Sequence, residues 1–222
     1  MTVMPCIRLA VACAILALAG CTETRFASPI GGGGTCQNAM KGLWIGTEND
    51  APPKPDENTA FHIDDNCTIH VIERGAGPNG RARTTPLKAE YATVDAKTYL
   101  AVEEDPVDVL VGMKPPHGVT PIPPRSYFFA RYRVRGDRMT LYPVDSVRTA
   151  KLVIDGAIDG TVDKTRNELH VYVLGSPAQM RTLVSARAIF DEAHPLALVR
   201  SRMTPEQFER PPPNVNLPGE KK

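Results

Sequence analysis

The sequence has no excess of charge of one sign and no apolar run long enough to cross a membrane as a helix. Its most hydrophobic run covers residues 9–18, whereas a spanning helix needs about 20 apolar residues. Arg8 is the only charged residue among the first twenty, so the chain after residue 20 carries 25 basic and 25 acidic side chains. A neutral chain lacks the basic surface that nucleic-acid binding requires, so nucleic acid is excluded as a partner.

Sequence motifs typical of catalytic or metal-binding sites are also missing. There is no Gly-x-Ser-x-Gly sequence and no Cys-x-x-Cys sequence, and the histidines lack the i, i+4 spacing that zinc sites prefer. A two-residue turn at Asp65-Asn66 predicts that His62 faces Ile69, which places His62 and His70 on opposite faces of a hairpin. We therefore predict no catalytic residue, no metal site and no cofactor, and an enzyme is the function class with the least support.

The first twenty residues are typical of a secretory signal peptide. They hold one positive charge, an apolar run and a small-residue end. The residues Leu18-Ala19-Gly20-Cys21 resemble the lipobox of bacterial lipoproteins. This resemblance implies cleavage before Cys21, with a diacylglyceryl group on its sulfur and an acyl chain on its new amine. An ordinary signal peptide with an incidental final cysteine is the alternative.

The resemblance also implies a location. Several acyl chains anchor a protein to a membrane stably, because each buried CH₂ contributes roughly 0.8 kcal/mol. Thr22 stands where lipoproteins retained in the inner membrane usually have aspartate. We therefore expect a protein of the cell envelope, anchored by lipid to the outer membrane and facing the periplasm.

Cysteine use agrees with export. Cys6 and Cys13 leave with the signal peptide and Cys21 is acylated, so only Cys36 and Cys67 remain for the folded part. In an oxidising compartment two such cysteines are expected to form a disulfide. Two buried free thiols are the alternative.

Composition divides the chain after the signal peptide into three parts. Residues 21–35 include Pro29 and four consecutive glycines, which predicts a lipidated flexible tether with a reach of roughly 20 Å. Residues 36–203 suit a single β-rich domain. Residues 204–222 predict a short helix and a disordered, proline-rich tail.

Within the domain, turn residues predict a series of hairpins. The predicted strand pairs are 60–64 with 67–73, 87–94 with 98–103, 127–135 with 138–142, and 158–162 with 169–174. Residues 145–154 fit a short helix or a strand equally well. The capping pattern Ser176-Pro177-Ala178-Gln179 predicts a helix from residue 177 to about 192.

These elements predict a mostly β fold: an antiparallel, hairpin-built barrel or strongly curved sheet with one late helix packed on it. The Gly42-x-Trp44 sequence at the first expected strand resembles the opening motif of lipocalins. That resemblance implies a lipocalin-like outline. A tryptophan that closes one end of some other small barrel is the alternative.

The segment 127–135 holds the candidate binding residues. Its alternation places Phe128, Ala130, Tyr132 and Val134 on a core face, and the opposite face carries Tyr127, Phe129, Arg131 and Arg133. Aromatic and guanidinium groups together can bind an anionic or sugar-containing partner. Alternatively, these arginines pair with nearby acids such as Glu103.

Together these features predict a membrane-anchored envelope lipoprotein with a non-catalytic domain that binds a lipid, a glycan or a protein. The alternative is an accessory or scaffold subunit of an envelope complex, with the proline-rich loop 114–125 and the tail as contacts. A closed apolar cavity favours the first function, and an exposed apolar patch favours the second.

Overall fold

The computed structural model describes residues 22–47, 57–103, 125–164 and 168–210. These residues form a 12-stranded sheet with a few small helices, which confirms the mostly β prediction. The strands are β1 (Thr22–Phe26), β2 (Gly42–Thr47), β3 (Thr59–Ile63), β4 (Ile69–Glu73), β5 (Arg83–Leu87), β6 (Ala89–Val94), β7 (Lys97–Glu103), β8 (Tyr127–Arg135), β9 (Arg138–Pro143), β10 (Gly160–Lys164), β11 (Leu169–Val173) and β12 (Leu196–Arg200). The helices are α1 (Ser146–Ile154), α2 (Pro177–Ala186) and α3 (Pro205–Glu209), with 3₁₀ turns at Asn38–Met40 and Pro78–Gly80.

The sheet is mixed. Its order is β10-β11-β1-β8-β9-β12-β2-β3-β4-β5, and β7 pairs with both β6 and β8. All ladders are antiparallel except that between β1 and β11, which is parallel. The purely antiparallel sheet that we expected is therefore wrong at β1. A hairpin-based prediction misses such a pairing because it joins residues far apart in the chain.

The sheet is not closed, so the barrel form of the prediction is not confirmed. Among the described strands, β5 pairs with β4 and β6 pairs with β7, and no ladder joins β5 to β6. Only Lys88 separates these two strands in the chain. Its carbonyl accepts a hydrogen bond from the Glu103 N–H at 2.9 Å.

Both predicted hairpins are present, but the first turn is one residue shorter than expected. The sequence predicted a three-residue turn at Asp95-Ala96-Lys97, whereas Lys97 belongs to β7 and lies opposite Val94. The two remaining turn residues, Asp95 and Ala96, have positive φ, at 50° and 59°. These angles are typical of a primed hairpin turn. Gly136-Asp137 joins β8 to β9 in the expected register, with Arg135 opposite Arg138.

The β3–β4 register differs from the prediction by one residue. Asp64 is paired through its N–H with the Thr68 carbonyl, and Cys67 occupies a third turn position with φ of 66°. The Asp64 carboxylate accepts hydrogen bonds from the N–H groups of Asn66 and Thr68, which stabilises the longer turn. His62 therefore lies opposite His70, not opposite Ile69. A one-residue shift moves a side chain to the other face, so this correction changes which histidines meet.

The flexible tether expected at residues 21–35 is not found in its described part, residues 22–35. β1 lies inside the sheet, and its Phe26 is fully buried. The glycines that follow allow close backbone approach: the Gly34 N–H donates to the Tyr91 carbonyl at 3.1 Å, and the Gly31 carbonyl accepts from Arg181 at 3.4 Å. Residues 22–35 therefore belong to the folded domain, whose expected start at residue 36 is corrected.

Two helices, not one, pack on the sheet. Residues 145–154, which the sequence left open, form α1, and the Asp145 side chain caps its N-terminus. α2 begins with the predicted capping box but ends at Ala186, six residues before the expected end. The chain then turns to bury Ile189 and Phe190, because covering the core outweighs another helical turn.

Three apolar clusters hold these elements together. The first lies within the β2–β9 and β12 strands around Trp44. The second lies under α1 and α2 around Phe26. In the third, Phe208 of α3 covers the outer face of β2, β3 and β4. The predicted short helix after Thr204 is thus confirmed, while the tail after residue 210 lies outside the described residues.

Candidate functional site

The expected ligand-contact face on β8 does not form a shared surface. Tyr127 and Phe129 are buried in the second apolar cluster, with 8% and 4% of their surfaces exposed. The Phe129 ring stacks on Phe26, with ring centroids 3.9 Å apart. The prediction assumed an outward face, but β1 and the helices cover this half of the strand. Neither aromatic side chain is therefore open to a ligand.

The two arginines of that face have different surroundings. Arg131 lies over the ring of Tyr142 at 4.2 Å and forms an ion pair of 2.8 Å with Glu192. The hydrogen bond from Arg131 holds the pKa of the Glu192 carboxyl below its usual value. Arg133 is exposed. The alternative, in which arginine pairs with an acid, therefore describes Arg131, although its partner is Glu192 and not Glu103.

Glu103 instead pairs with two other cations. Its carboxylate lies 3.3 Å from the Lys88 ammonium and 3.3 Å from the Arg125 guanidinium. Arg125 is the last residue of the predicted proline-rich loop, and residues 114–124 of that loop lie outside the described residues.

The first apolar cluster has little room for a ligand. Trp44, Phe61, Tyr91 and Tyr132 are all almost fully buried in it. A cavity of about 20 Å³ lies beside Phe128. That volume suits one water molecule at most, whereas ligand pockets usually measure about 300–1,000 Å³. This cavity is therefore far too small for a lipid or a glycan.

A groove of about 350 Å³ opens on the surface beside α2. It lies between α2 and the turn 156–159, and both apolar and polar side chains line it: Ile158, Asp159, Leu174, Gln179, Leu183 and Arg187. Leu174 is 46% exposed.

Helix α1 adds apolar surface on the same side of the sheet as the second cluster. Val147 and Ile154 are 66% and 72% exposed, and they are seven residues apart, so they share one flank of the helix. The described surface thus has exposed apolar side chains on α1 and at the groove, which the sequence analysis did not predict.

The structure also assembles a buried polar cluster that the sequence analysis missed. In the register of β10, β11 and β1, one row across the sheet is Asp163–His170–Glu23 and the next is Thr161–Tyr172–Arg25. The sequence Thr22-Glu23-Thr24-Arg25-Phe26 gives only a weak strand signal, from its two threonines and its phenylalanine. The glycines that follow led us to interpret these residues as a tether.

Contacts within the cluster are close. The His170 Nδ1 lies 2.6 Å from the Glu23 carboxylate, and Arg25 lies 3.3 Å from the same carboxylate. An imidazole–carboxylate pair has the chemistry of a general base. Glu23 and Arg25 are only 5% and 1% exposed, however, so a dissolved substrate does not reach them. We interpret the cluster as the ion pairs that fix β1 in the sheet, since removing one partner of a buried pair costs about 3–5 kcal/mol.

The predicted disulfide between Cys36 and Cys67 is confirmed, with a Cα–Cα distance of 5.5 Å. It joins the segment before β2 to the β3–β4 turn. The Tyr91 hydroxyl donates to the Cys67 carbonyl at 2.9 Å, which holds the same turn against β6. The other candidate cysteine, Cys21, and the signal peptide 1–20 lie outside the described residues.

His62 and His70 form a pair on the outer face of β3 and β4. Their ring centroids are 5.8 Å apart, and the His70 Nε2 lies 3.0 Å from the Asp64 carboxylate. The expectation that these residues lie on opposite faces is wrong, for the register reason given above. No set of three or more His, Cys, Asp and Glu side chains is arranged to hold a metal ion in the described parts of the chain.

The chain was also compared with known proteins. No protein-family model, no curated protein and no solved structure matches it. Of the described helices, none has both the length and the apolar character needed to span a bilayer.

Proposed function

We propose that this protein is exported, cleaved before Cys21 and anchored by lipid to the bacterial outer membrane, facing the periplasm. The observation that carries the export step is the Cys36–Cys67 disulfide. Disulfides persist in oxidising compartments and are rare in the cytosol. The two cysteines that remain after cleavage and acylation are the two that are joined.

The position of β1 changes the expected geometry. Thr22, the residue after Cys21, already belongs to β1, so its Cα lies about 3.8 Å from that of the acylated residue. In the register of the sheet, Thr22 is level with Leu169 and Lys164. This end of the sheet then rests at the lipid headgroups, without the stand-off of roughly 20 Å that a tether would give.

In this proposal β5 and β6 act as one bent strand that curves the sheet into a barrel-like form. Two facts support it: Lys88 alone separates the strands, and side chains from β2–β9 and β12 share one apolar cluster. The large side chains buried in this cluster favour the outer surface as the place where a partner binds.

The partner that we propose is an envelope protein, so the domain serves as an accessory subunit. Exposed apolar side chains at Val147, Ile154 and Leu174 support a protein contact, because such groups usually mark interaction surfaces when they lie near one another. The groove beside α2 provides a concave site for an anchoring side chain of the partner.

In-cell photo-crosslinking tests this function. In one variant of the full chain, expressed in a Gram-negative host, a photoreactive amino acid replaces Ile154. In a control variant it replaces Arg81, which is exposed in the β4–β5 connection. We expect one discrete adduct from position 154 that is lost when Leu174→Glu is added, and none from position 81. Absence of an adduct at 154, or an adduct that Leu174→Glu leaves unchanged, contradicts a protein partner at this surface.

A further inference from the structure

The β3–β4 register places two imidazoles side by side on an accessible surface. His62 and His70 are directly opposite each other on adjacent antiparallel strands. Directly opposite residues have Cβ atoms about 4.5–5.5 Å apart, so their side chains interact. The ring centroids are 5.8 Å apart, and the His70 side chain is 28% exposed. The rings are stacked, with 29° between their planes, so the two side chains must rotate to aim one nitrogen of each at a shared ion, to which a metal–nitrogen bond is about 2.0–2.1 Å long.

The Asp64 carboxylate orients the His70 imidazole for metal binding. It lies 3.0 Å from the His70 Nε2, and as an acceptor it favours the tautomer with the proton on Nε2. That tautomer leaves the lone pair on Nδ1. Histidines that bind metals usually donate their other ring N–H to a carboxylate, which orients the ring and raises the basicity of the ligating nitrogen.

The surroundings of the pair favour a cation. The carboxylates of Asp64, Asp65 and Glu206 lie close enough to influence the charge on His62. These carboxylates add negative charge beside the two rings, which attracts a divalent cation.

We propose that His62 and His70 together bind one divalent transition-metal ion of the class that prefers imidazole, such as Zn²⁺, Cu²⁺ or Ni²⁺, with water in the remaining positions. Two protein ligands and an open outer face describe an exchangeable surface site, unlike a closed structural one. The site does not depend on the lipid anchor or on the protein partner. It joins β3 to β4 beside α3, so a bound ion stabilises this side of the sheet.

Calorimetric titration of Zn²⁺ and Cu²⁺ into the protein, purified without a histidine tag, tests the site. We expect one equivalent to bind, and His62→Gln or His70→Gln to weaken binding at least tenfold. The matched control is His194→Gln: His194 also lies 2.9 Å from an aspartate, Asp191, but its side chain is 84% exposed. An unchanged affinity in His70→Gln, or an equal loss in His194→Gln, overturns the proposal.

A second measurement keeps the test decisive if a variant does not fold. Electron paramagnetic resonance of one equivalent of Cu²⁺ on the unaltered protein reports the number of nitrogen ligands. We expect hyperfine coupling to two imidazole nitrogens. Coupling to one nitrogen, or to none, contradicts the site.

Discussion

Arg200 joins β12 to the segment before β2 and to the β8–β9 turn. Its guanidinium lies 4.2 Å from the centre of the Trp44 ring and donates to the carbonyls of Lys41 and Ala39. It also lies 3.3 Å from Asp137. The planar guanidinium can stack and donate in several directions at once, whereas a lysine ammonium cannot.

We predict that Arg200→Lys lowers the free energy of unfolding by about 1–3 kcal/mol, because stacking and at least one hydrogen bond are lost. Urea unfolding followed by tryptophan fluorescence measures it. Arg202→Lys is the control, since Arg202 is exposed two residues later. Equal effects of the two substitutions would mean that Arg200 contributes through charge alone.

The ion pair with Glu192 determines whether Arg131 on β8 is available to a ligand. Arg131 lowers the pKa of Glu192 through a hydrogen bond. A carboxyl whose pKa is depressed on folding adds stability above its unfolded pKa and loses it as the pH falls through the folded pKa. The pair therefore weakens in acid.

We expect Arg131→Gln to raise the pKa of Glu192 toward its usual value in an NMR titration of the side-chain carboxyl. Arg133→Gln should leave that pKa unchanged, because Arg133 is exposed on the same face without this contact. If Arg131→Gln has no effect, Arg131 is not held by Glu192 and the ligand-contact hypothesis regains support.

At the scale of elements, the glycine run shows how composition can mislead. Gly31, Gly32 and Gly33 have φ values of 72°, 116° and 55°, a region that favours glycine. A Cβ atom at Gly34 would lie 2.8 Å from the Tyr91 carbonyl oxygen. Positive φ at Gly31, Gly32 and Gly33 and close packing at Gly34 explain the run, which is not a linker.

Gly34→Ala should therefore destabilise the protein by about 1–3 kcal/mol, the usual cost of overpacking. Gly33→Asn is the control, since a Cβ at Gly33 has no neighbour within 4 Å and asparagine tolerates positive φ. Thermal unfolding compares the two variants. A neutral Gly34→Ala would restore the interpretation of residues 22–35 as a tether.

The sequence correctly predicted features that depend on residues close together in the chain. The turn at Gly136-Asp137 and the capping boxes at Ser176 and Thr204 involve residues only a few positions apart. Their geometry follows from short-range hydrogen bonds and backbone angles, so sequence alone was sufficient.

What the sequence missed depends on distant contacts. The Glu23–His170 pair joins residues 147 positions apart, and it forms only because β1 lies parallel to β11. The His62–His70 pair was missed for a different reason: Cys67 adds one residue to the turn and shifts the register. The exposed apolar side chains on α1 could not be predicted, because the sequence does not show which face of that helix is buried.

At the scale of the whole molecule, one covalent bond ties the N-terminal segment to the sheet. The Cys36–Cys67 disulfide spans a sequence separation of 31 residues. In the chain-entropy model, closing a loop of that length stabilises the fold by about 3–4 kcal/mol.

Reduction should therefore lower the free energy of unfolding by about 3–4 kcal/mol, as measured by urea unfolding with and without dithiothreitol. A chain with both Cys36→Ala and Cys67→Ala should be less stable from the start and insensitive to the reductant. Equal stability of the oxidised and reduced protein would show that the bridge adds little.

In the proposed function, lipid attachment at Cys21 decides how the whole domain is placed, because the next residue, Thr22, already belongs to β1. We therefore expect the sheet end at Thr22, Leu169 and Lys164 to face the bilayer. The groove beside α2 lies at the other end of β11, at Leu174, five residues and about 17 Å beyond Leu169. We therefore expect a partner in this groove to bind away from the bilayer surface.

The most direct test of this account is mass spectrometry of the N-terminal peptide of the protein, isolated from the envelope of a Gram-negative host. We predict a peptide that begins at Cys21 and carries a diacylglyceryl group and an amide-linked acyl chain, and we predict that Cys21→Ala yields none. An unmodified cysteine, or a mature chain that retains residues 1–20, would contradict the account.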